Sequence, residues 1–285
     1  MGDFGVDLAP EAATTSLETP ELLVSSEDIQ VLVTGFGPFK TNPLNPSFLI
    51  ASCLPSTITT SSSLSLVPRN IRIHVHPTPI RVSYSAVRIA VPSILESFKR
   101  AHHGKLPDLI VHIGMASTRH YYSAETAAHR DGYQVTDVDG QVGYEDGELV
   151  WKREGLPKIL QPGPAATEIS CIASPSTPAA ATGLSDSKFP ISVHPFRPDS
   201  KLLETWRSFA PPEADVRISE DAGRYLCEFI YYASLAYLYK EGLVRNAIFF
   251  HVPGWTDDAS VESGRDILIG LIKALVSCWI DQEPK

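Results

Sequence analysis

Three residues far apart in the chain carry side chains that can do chemistry together: Glu125, Cys227 and His251. Cys227 closes the segment Ser219-Glu-Asp-Ala-Gly-Arg-Tyr-Leu-Cys227. There a short strand pattern (Val216–Ser219) meets polar residues and a glycine, then an apolar period at Leu226, Ile230, Ala233 and Tyr237. This order reads as a strand end followed by a helix start, with Ser219 and Asp221 as capping residues. A cysteine in the opening turns of a helix meets unpaired N–H groups and the positive end of the dipole, which favour a thiolate. A helical cysteine also serves as a small core residue, and the segment alone leaves both readings open. His251 ends the apolar run Ala247–Val252 just before Pro253-Gly254. Taken singly, it is a satisfied core histidine. Glu125, taken singly, is solvated or paired with a neighbour such as Arg119. Together the three types are those of cysteine hydrolysis: a thiolate attacks, an imidazole relays the proton, and a third group holds the imidazole in its tautomer. Asp257 and Asp258 are the alternative candidates for that third group.

The run Ile29–Thr34 ends in Gly35-Phe36-Gly37-Pro38-Phe39. A Gly-x-Gly after a strand invites a dinucleotide reading, but the third glycine is missing and Pro38 occupies the turn. Two readings stand for Phe36 and Phe39: they present ring faces to a flat ligand, or they plug the core. No Gly-x-Ser-x-Gly elbow, phosphate-binding Gly-x-x-x-x-Gly-Lys loop or His-Glu-x-x-His helix competes. Papain-type and caspase-type cysteine signatures are absent too.

These residues need a scaffold that gathers strand ends. Asp108–Gly114 and Ala247–Val252 are apolar runs of the length and type buried on both faces of a parallel sheet. Another strand is expected near Ile71–Val75. Between Ser52 and Leu66, nine of fifteen residues are Ser or Thr, which reads as a loop. Val87, Val91, Ile94, Leu95 and Phe98 share one face of a helix over 85–101, with a kink expected at Pro92. Ile267, Leu268, Leu271, Leu275 and Trp279 make the face of a C-terminal helix. Strands alternating with helices predict an α/β fold in three layers, a twisted, mostly parallel sheet with helices on both faces. In such sheets ligands bind beyond the carboxyl ends of the strands, where these residues fall.

The whole composition agrees. The chain has 285 residues, a formal net charge of −9, and is 43% hydrophobic and 20% charged. That excess of acid excludes nucleic acid or an anionic membrane as a main partner. No apolar run approaches the roughly 18 residues of a membrane span, and the N-terminus carries no secretory pattern. Cys53, Cys171, Cys227 and Cys278 are scattered, which predicts reduced thiols and a cytoplasmic setting. Residues 1–28 read as a flexible arm, and 29–285 as a single catalytic domain. A Pro/Ser/Ala-rich insertion is expected at about 150–200, with seven prolines among residues 162–200.

Four blocks resemble one family in the same order. Val31-Leu-Val-Thr-Gly-Phe-Gly-Pro-Phe39 with Asn45-Pro46-Ser47 resembles the opening motif of pyroglutamyl peptidase I, or pyrrolidone-carboxylate peptidase. Asp108–Gly114 with Glu125, Asp221-Ala-Gly-Arg-Tyr-Leu-Cys227 and Phe250-His251-Val252-Pro253 resemble its other three motifs. The resemblance implies a cytosolic cysteine peptidase that removes N-terminal 5-oxoproline from peptides through a thioester, with no metal or organic cofactor. Carried over, Cys227 is the nucleophile, His251 the general base and acid, and Glu125 the orienter, while Phe36 and Phe39 hold the pyrrolidone ring. Pairing with protonated His251 and the nearby helix start are expected to lower the Cys227 pKa. The sequence departs from the family pattern at Ser85, where a glutamine is expected, and in the long insertion. Two other readings keep the same residues: a Cys-His-Glu hydrolase of another N-terminally blocked peptide or amide, and a non-catalytic descendant that binds peptides.

Overall fold

A computed structural model of the chain describes residues 28–39, 42–60, 69–163 and 201–280. Its strands are β1 (Ile29–Gly35), β2 (Thr57–Thr60), β3 (Arg69–Val75), β4 (Leu109–Met115), β5 (Tyr122–Glu125), β6 (Ala128–His129), β7 (Ile159–Leu160), β8 (Val216–Ser219) and β9 (Ala247–Val252). The helices are α1 (Pro46–Ser52), α2 (Tyr84–Ala101), α3 (Leu149–Arg153), α4 (Lys201–Phe209), α5 (Leu226–Lys240) and α6 (Asp258–Leu275). Seven strands form one sheet in the order β2-β3-β1-β4-β9-β5-β8. β3, β1, β4 and β9 run parallel, whereas β2 and β5 are reversed against β3 and β9. β6 and β7 pair separately.

Alternation along the central strands divides the core in two. Val31, Val33, Val111, Ile113, Ile248 and Phe250 face α1, α4 and α6, where Ile50, Trp206 and Leu271 are buried against them. Leu32, Ile110 and Phe249 face α2 and α5, against Val87, Leu95, Phe229 and Ile230. The expected three-layer architecture is the one observed. α2 runs unbroken through Pro92 and buries Tyr84, Val87, Val91, Leu95 and Phe98.

The structure adds elements that the patterns did not reveal. The Ser/Thr-rich stretch read as a loop contains β2, whose β-branched threonines suit an edge strand. β5 is four residues, too short for a period. The start of the expected insertion belongs to the domain, since Trp151, Leu156 and Leu160 are buried in the core. Residues 164–200, with Cys171, lie outside the described residues, as do residues 1–27 of the expected arm. Asp28 accepts a 2.6 Å bond from Arg72 Nε.

One polar link crosses the α2/α5 side. His112 on β4 is held between Thr34 Oγ1 of β1 and Ser234 Oγ of α5, each at 2.7 Å. Burial pushes its pKa down to about 3, so it is neutral, one nitrogen donating and the other accepting. Replacing His112 by Ala would orphan two buried hydroxyls and open a void. Stability should fall by roughly 2–5 kcal/mol, read as an earlier urea midpoint. An unchanged midpoint would mean that this link does not hold α5 to the sheet.

Candidate active site

The sheet register gathers the polar residues. In the β5–β9 pair Ser123 stands opposite His251, and residues two apart on a strand share a face. Ser123, Glu125 and His251 therefore project to the α2/α5 side together. His251 Nδ1 lies 2.8 Å from Glu125 Oε1. The same oxygen accepts Arg119 Nη1 at 2.6 Å and Ser123 Oγ at 2.9 Å. Arg119 Nη1 also donates to Ser123 Oγ at 2.7 Å, and its Nη2 reaches the Asp221 carbonyl at 3.3 Å. Glu125 is fully buried. Burial alone would raise its pKa, but the hydrogen bond and charge of His251, with help from Arg119, hold it below the ordinary value. Asp257 does something else: it caps α6 by accepting Ser260 N–H at 3.0 Å.

α5 begins at Leu226 after Tyr225, so Cys227 is its second residue. Ser219 and Asp221 do not cap this helix, contrary to the sequence expectation. Asp221 instead turns the preceding loop by accepting Gly223 N–H at 3.0 Å and Arg224 Nη1 at 2.7 Å. The next residue, Glu228, is fully buried and bonds His129 Nδ1 at 2.7 Å and Arg224 Nη1 at 2.9 Å. These bonds fix the first turn of α5. Its opening N–H groups have no partner within the helix and can take a developing oxyanion.

Gly114 decides where the sulfur sits. A Cβ added there would lie 2.9 Å from Cys227 Sγ and 2.4 Å from Phe249 Cζ. The sulfur thus occupies space that any other residue would fill. Gly114 is the β4 partner of His251, so the thiol lies one strand away from the imidazole. With Nδ1 committed to Glu125, Nε2 is the nitrogen left for proton transfer.

Charge differs from the sequence expectation. Burial and then the Glu125 charge push the Cys227 pKa up to about 12, against a smaller opposing effect of Arg119. Burial also lowers that of His251, which Glu125 only partly offsets. The resting pair is a neutral thiol beside a neutral imidazole. A dipole at one helix end does not outweigh desolvation plus a nearby carboxylate.

Phe36 and Phe39 part company. Phe36 is 3% exposed and belongs to the α2/α5 core, while its N–H is held by Ser47 Oγ at 2.9 Å. Phe39 is half-buried, its ring 5.5 Å from that of Tyr225, two residues before the cysteine. Tyr84 meets Tyr225 edge-on at 6.0 Å. Phe39, Tyr225 and Cys227 pack against one aromatic cluster. Asn45 and Ser47 staple the turn that carries Phe39, Asn45 Nδ2 donating to the Gly37 carbonyl at 2.9 Å. Sequence reasoning missed Tyr225, Ser123 and the role of Gly114. The Gly after the apolar run of β4 was the available signal for the last. Among the described residues no cluster of three or more His, Cys, Asp or Glu is placed to hold a metal ion. No helix among them is long and apolar enough to cross a membrane.

Comparison with known proteins first defines a class. The fold is that of pyrrolidone carboxyl peptidases. The enzyme from Thermococcus litoralis superimposes with a TM-score of 0.58 at 19% identity, covering 87% of this chain and 93% of that one. A structure of the Pyrococcus furiosus enzyme gives 0.56 at 19% identity, over 87% and 98% of the two chains. In sequence, the chain is similar to the pyroglutamyl-peptidase 1 of Mus musculus, 27% identical over 228 residues and 78% of each chain. It is 26% identical to that of Homo sapiens over the same shares. No family model matches the chain.

Two outcomes test this geometry. Gly114→Ala should abolish any activity that depends on Cys227, because backbone, Phe249 and sulfur cannot all keep their places. Full activity in that variant, with the parent's melting temperature, would show that the sulfur acts from another position. Near neutral pH, Cys227 should react with iodoacetamide more slowly than the exposed Cys53, its rate climbing toward alkaline pH. Peptide mapping after brief exposure reads this, and immediate alkylation of Cys227 below neutrality would contradict a neutral resting pair.

Proposed function

We propose that the protein is a cysteine-type omega peptidase that removes N-terminal pyroglutamate from peptides in the cytoplasm. One observation carries the reading: a buried Glu125–His251 pair at 2.8 Å, one strand away from a cysteine whose sulfur sits over Gly114. The similarity to pyroglutamyl-peptidase 1 supplies the substrate class.

In this reading Phe39 and Tyr225 clasp the neutral, flat lactam, with Phe36 beneath them. His251 Nε2 takes the Cys227 proton as Sγ attacks the carbonyl that joins the 5-oxoproline ring to the next residue. The oxyanion is met by the first N–H groups of α5. The tetrahedral adduct collapses, the C–N bond breaks, and the Nε2 proton goes to the leaving amine. A thioester remains. Water then gives a proton to Nε2 and its oxygen to the acyl carbon. The C–S bond breaks, 5-oxoproline leaves, and the proton returns to sulfur. Glu125 keeps Nδ1 protonated and stabilises the imidazolium that exists only in transit.

A neutral thiol suits this sequence, since His251 acts as base at the moment of attack. Activity should therefore follow deprotonation of His251, with its acid limb below the ordinary histidine value of about 6.5. A pyroglutamyl fluorogenic amide should be cleaved without added metal and with chelator present. A prolyl amide should be a poor substrate, because its charged amine would be desolvated against aromatic rings. Glu125→Gln should cost roughly a hundredfold or more in kcat with folding intact. Hydrolysis of other blocked peptides but not this amide would favour the alternative hydrolase. Binding of pyroglutamyl peptides without turnover would favour the non-catalytic descendant.

A further inference from the structure

The strand order arranges the site along a line. At the carboxyl end of β1 lies Phe39 with Tyr225; over β4 lies Cys227; β9 carries His251; beyond it come β5 and β8. Strands are about 4.8 Å apart. If the pyrrolidone ring lies on the β1 side of the sulfur, the leaving amine lies on the side of His251, which must protonate it. The rest of the peptide then continues toward β5 and β8, whose adjoining ends lie roughly 10–14 Å from β4.

A cavity of about 330 Å³ opens beside those ends on the α6 face of the sheet, so a peptide leaving the α2/α5 face passes over the rim to reach it. His120, Tyr122, Glu213, Asp215, Trp255 and Ser260 line it. His120 follows directly on Arg119, which binds Glu125, and Trp255 lies four residues after His251. The His120 and Trp255 rings lie 6.1 Å apart and 28° from parallel. Trp255 is 42% exposed, so the ring face turned away from His120 is open to a ligand. The backbone joins the two sides, for Tyr122 N–H donates to the Asp215 carbonyl at 2.9 Å. Asp215 is paired with Arg217 at 2.7 Å, whereas Glu213 is exposed and makes no ion pair among the described residues.

On the reading that the protein cleaves pyroglutamyl peptides, we propose that this cavity is a leaving-side subsite. It takes a basic side chain about three residues after the pyroglutamate. A peptide rising about 3.3 Å per residue reaches the cavity at that point. An indole face and a free carboxylate suit a lysine or arginine head, through cation–π attraction and charge. Short amides end before it and do not sense it.

The test compares a pyroglutamyl coumarin amide with two peptides, pyroglutamate-Ala-Ala-Lys-Ala and the same peptide with glutamate for lysine. The lysine peptide should have the higher kcat/KM. Trp255→Ala and Glu213→Gln should each lower its value about three- to tenfold, through KM, while leaving the amide unchanged. The amide thus reports that each variant is folded. Binding to Cys227→Ala protein, read by fluorescence with and without Trp255→Ala, removes the dependence on turnover. If the amide is cleaved but lysine and glutamate peptides are treated alike, the subsite is refuted and the peptidase reading survives. If neither is cleaved but the lysine peptide binds through Trp255, the peptidase reading fails and the cavity keeps its ligand. Absence of both cleavage and binding refutes both.

Discussion

Oε1 of Glu125 accepts three donors, and the geometry of the site depends on that oxygen. A carboxylate with no exposure is costly unless its charge is matched and its lone pairs are used. Arg119 matches the charge, and Ser123 and His251 donate to the same oxygen. Each donor comes from a different piece of chain: the loop after β4, β5 itself, and β9. Removing any one would leave a buried charge short of partners, so the oxygen fixes those pieces relative to one another. The imidazole inherits its orientation from this arrangement.

Burial sets the protonation states of the imidazole and the thiol, and the charges around them adjust it. The hydrogen bond and charge of Glu125 favour a cation on His251 but do not overcome desolvation, and the Arg119 charge adds a smaller opposing effect. The shifts of His251 and Glu125 act on stability in the same direction. His251 has a lowered pKa when folded, so its contribution is complete above the unfolded value of about 6.5 and declines as pH falls below it. Glu125, also lowered, contributes above its unfolded value of about 4.3 and loses that contribution at still lower pH. The site therefore weakens on acidification in two steps, the imidazole first.

Much of this was legible from residue types. Long apolar runs revealed β1, β4 and β9 because a strand buried on both faces has to be apolar throughout. The period of α2 and the face of α6 were visible for the matching reason. β5 was not. Tyr-Ser-Ala-Glu has no apolar run, since one of its faces carries the polar pair bound to His251 and Arg119. These polar residues displaced the pattern that would have disclosed the strand. The helix start at Cys227 was legible, but its cap was not: Asp221 has the right chemistry and uses it on the turn before. The thiol's charge state was misread because a dipole can be inferred from sequence, whereas the burial of a sulfur against Gly114 and Phe249 cannot. Phe36 and Phe39 show the same limit, two like residues three apart of which one belongs to the core.

The reversal of β5 explains why Arg119 is where it is. β4 ends at Met115 and β5 begins at Tyr122, so only residues 116–121 join them. Yet the two strands are not neighbours, because β9 lies between them. Six residues can span two strand spacings, about 10 Å, but they cannot return to the far end of the sheet. A parallel β5 would need a crossover of about a dozen residues or more. The short link therefore forces β5 to run backwards, and it must pass over the end of β9. Arg119 sits in this bridge, where its side chain can meet the carboxylate presented by the strand that the bridge leads into. A reversed strand also pairs Ser123 with His251 and sets Glu125 one step further along the same face. The length of one connection thus determines the strand direction, the register, and the position of the cation that pairs with Glu125.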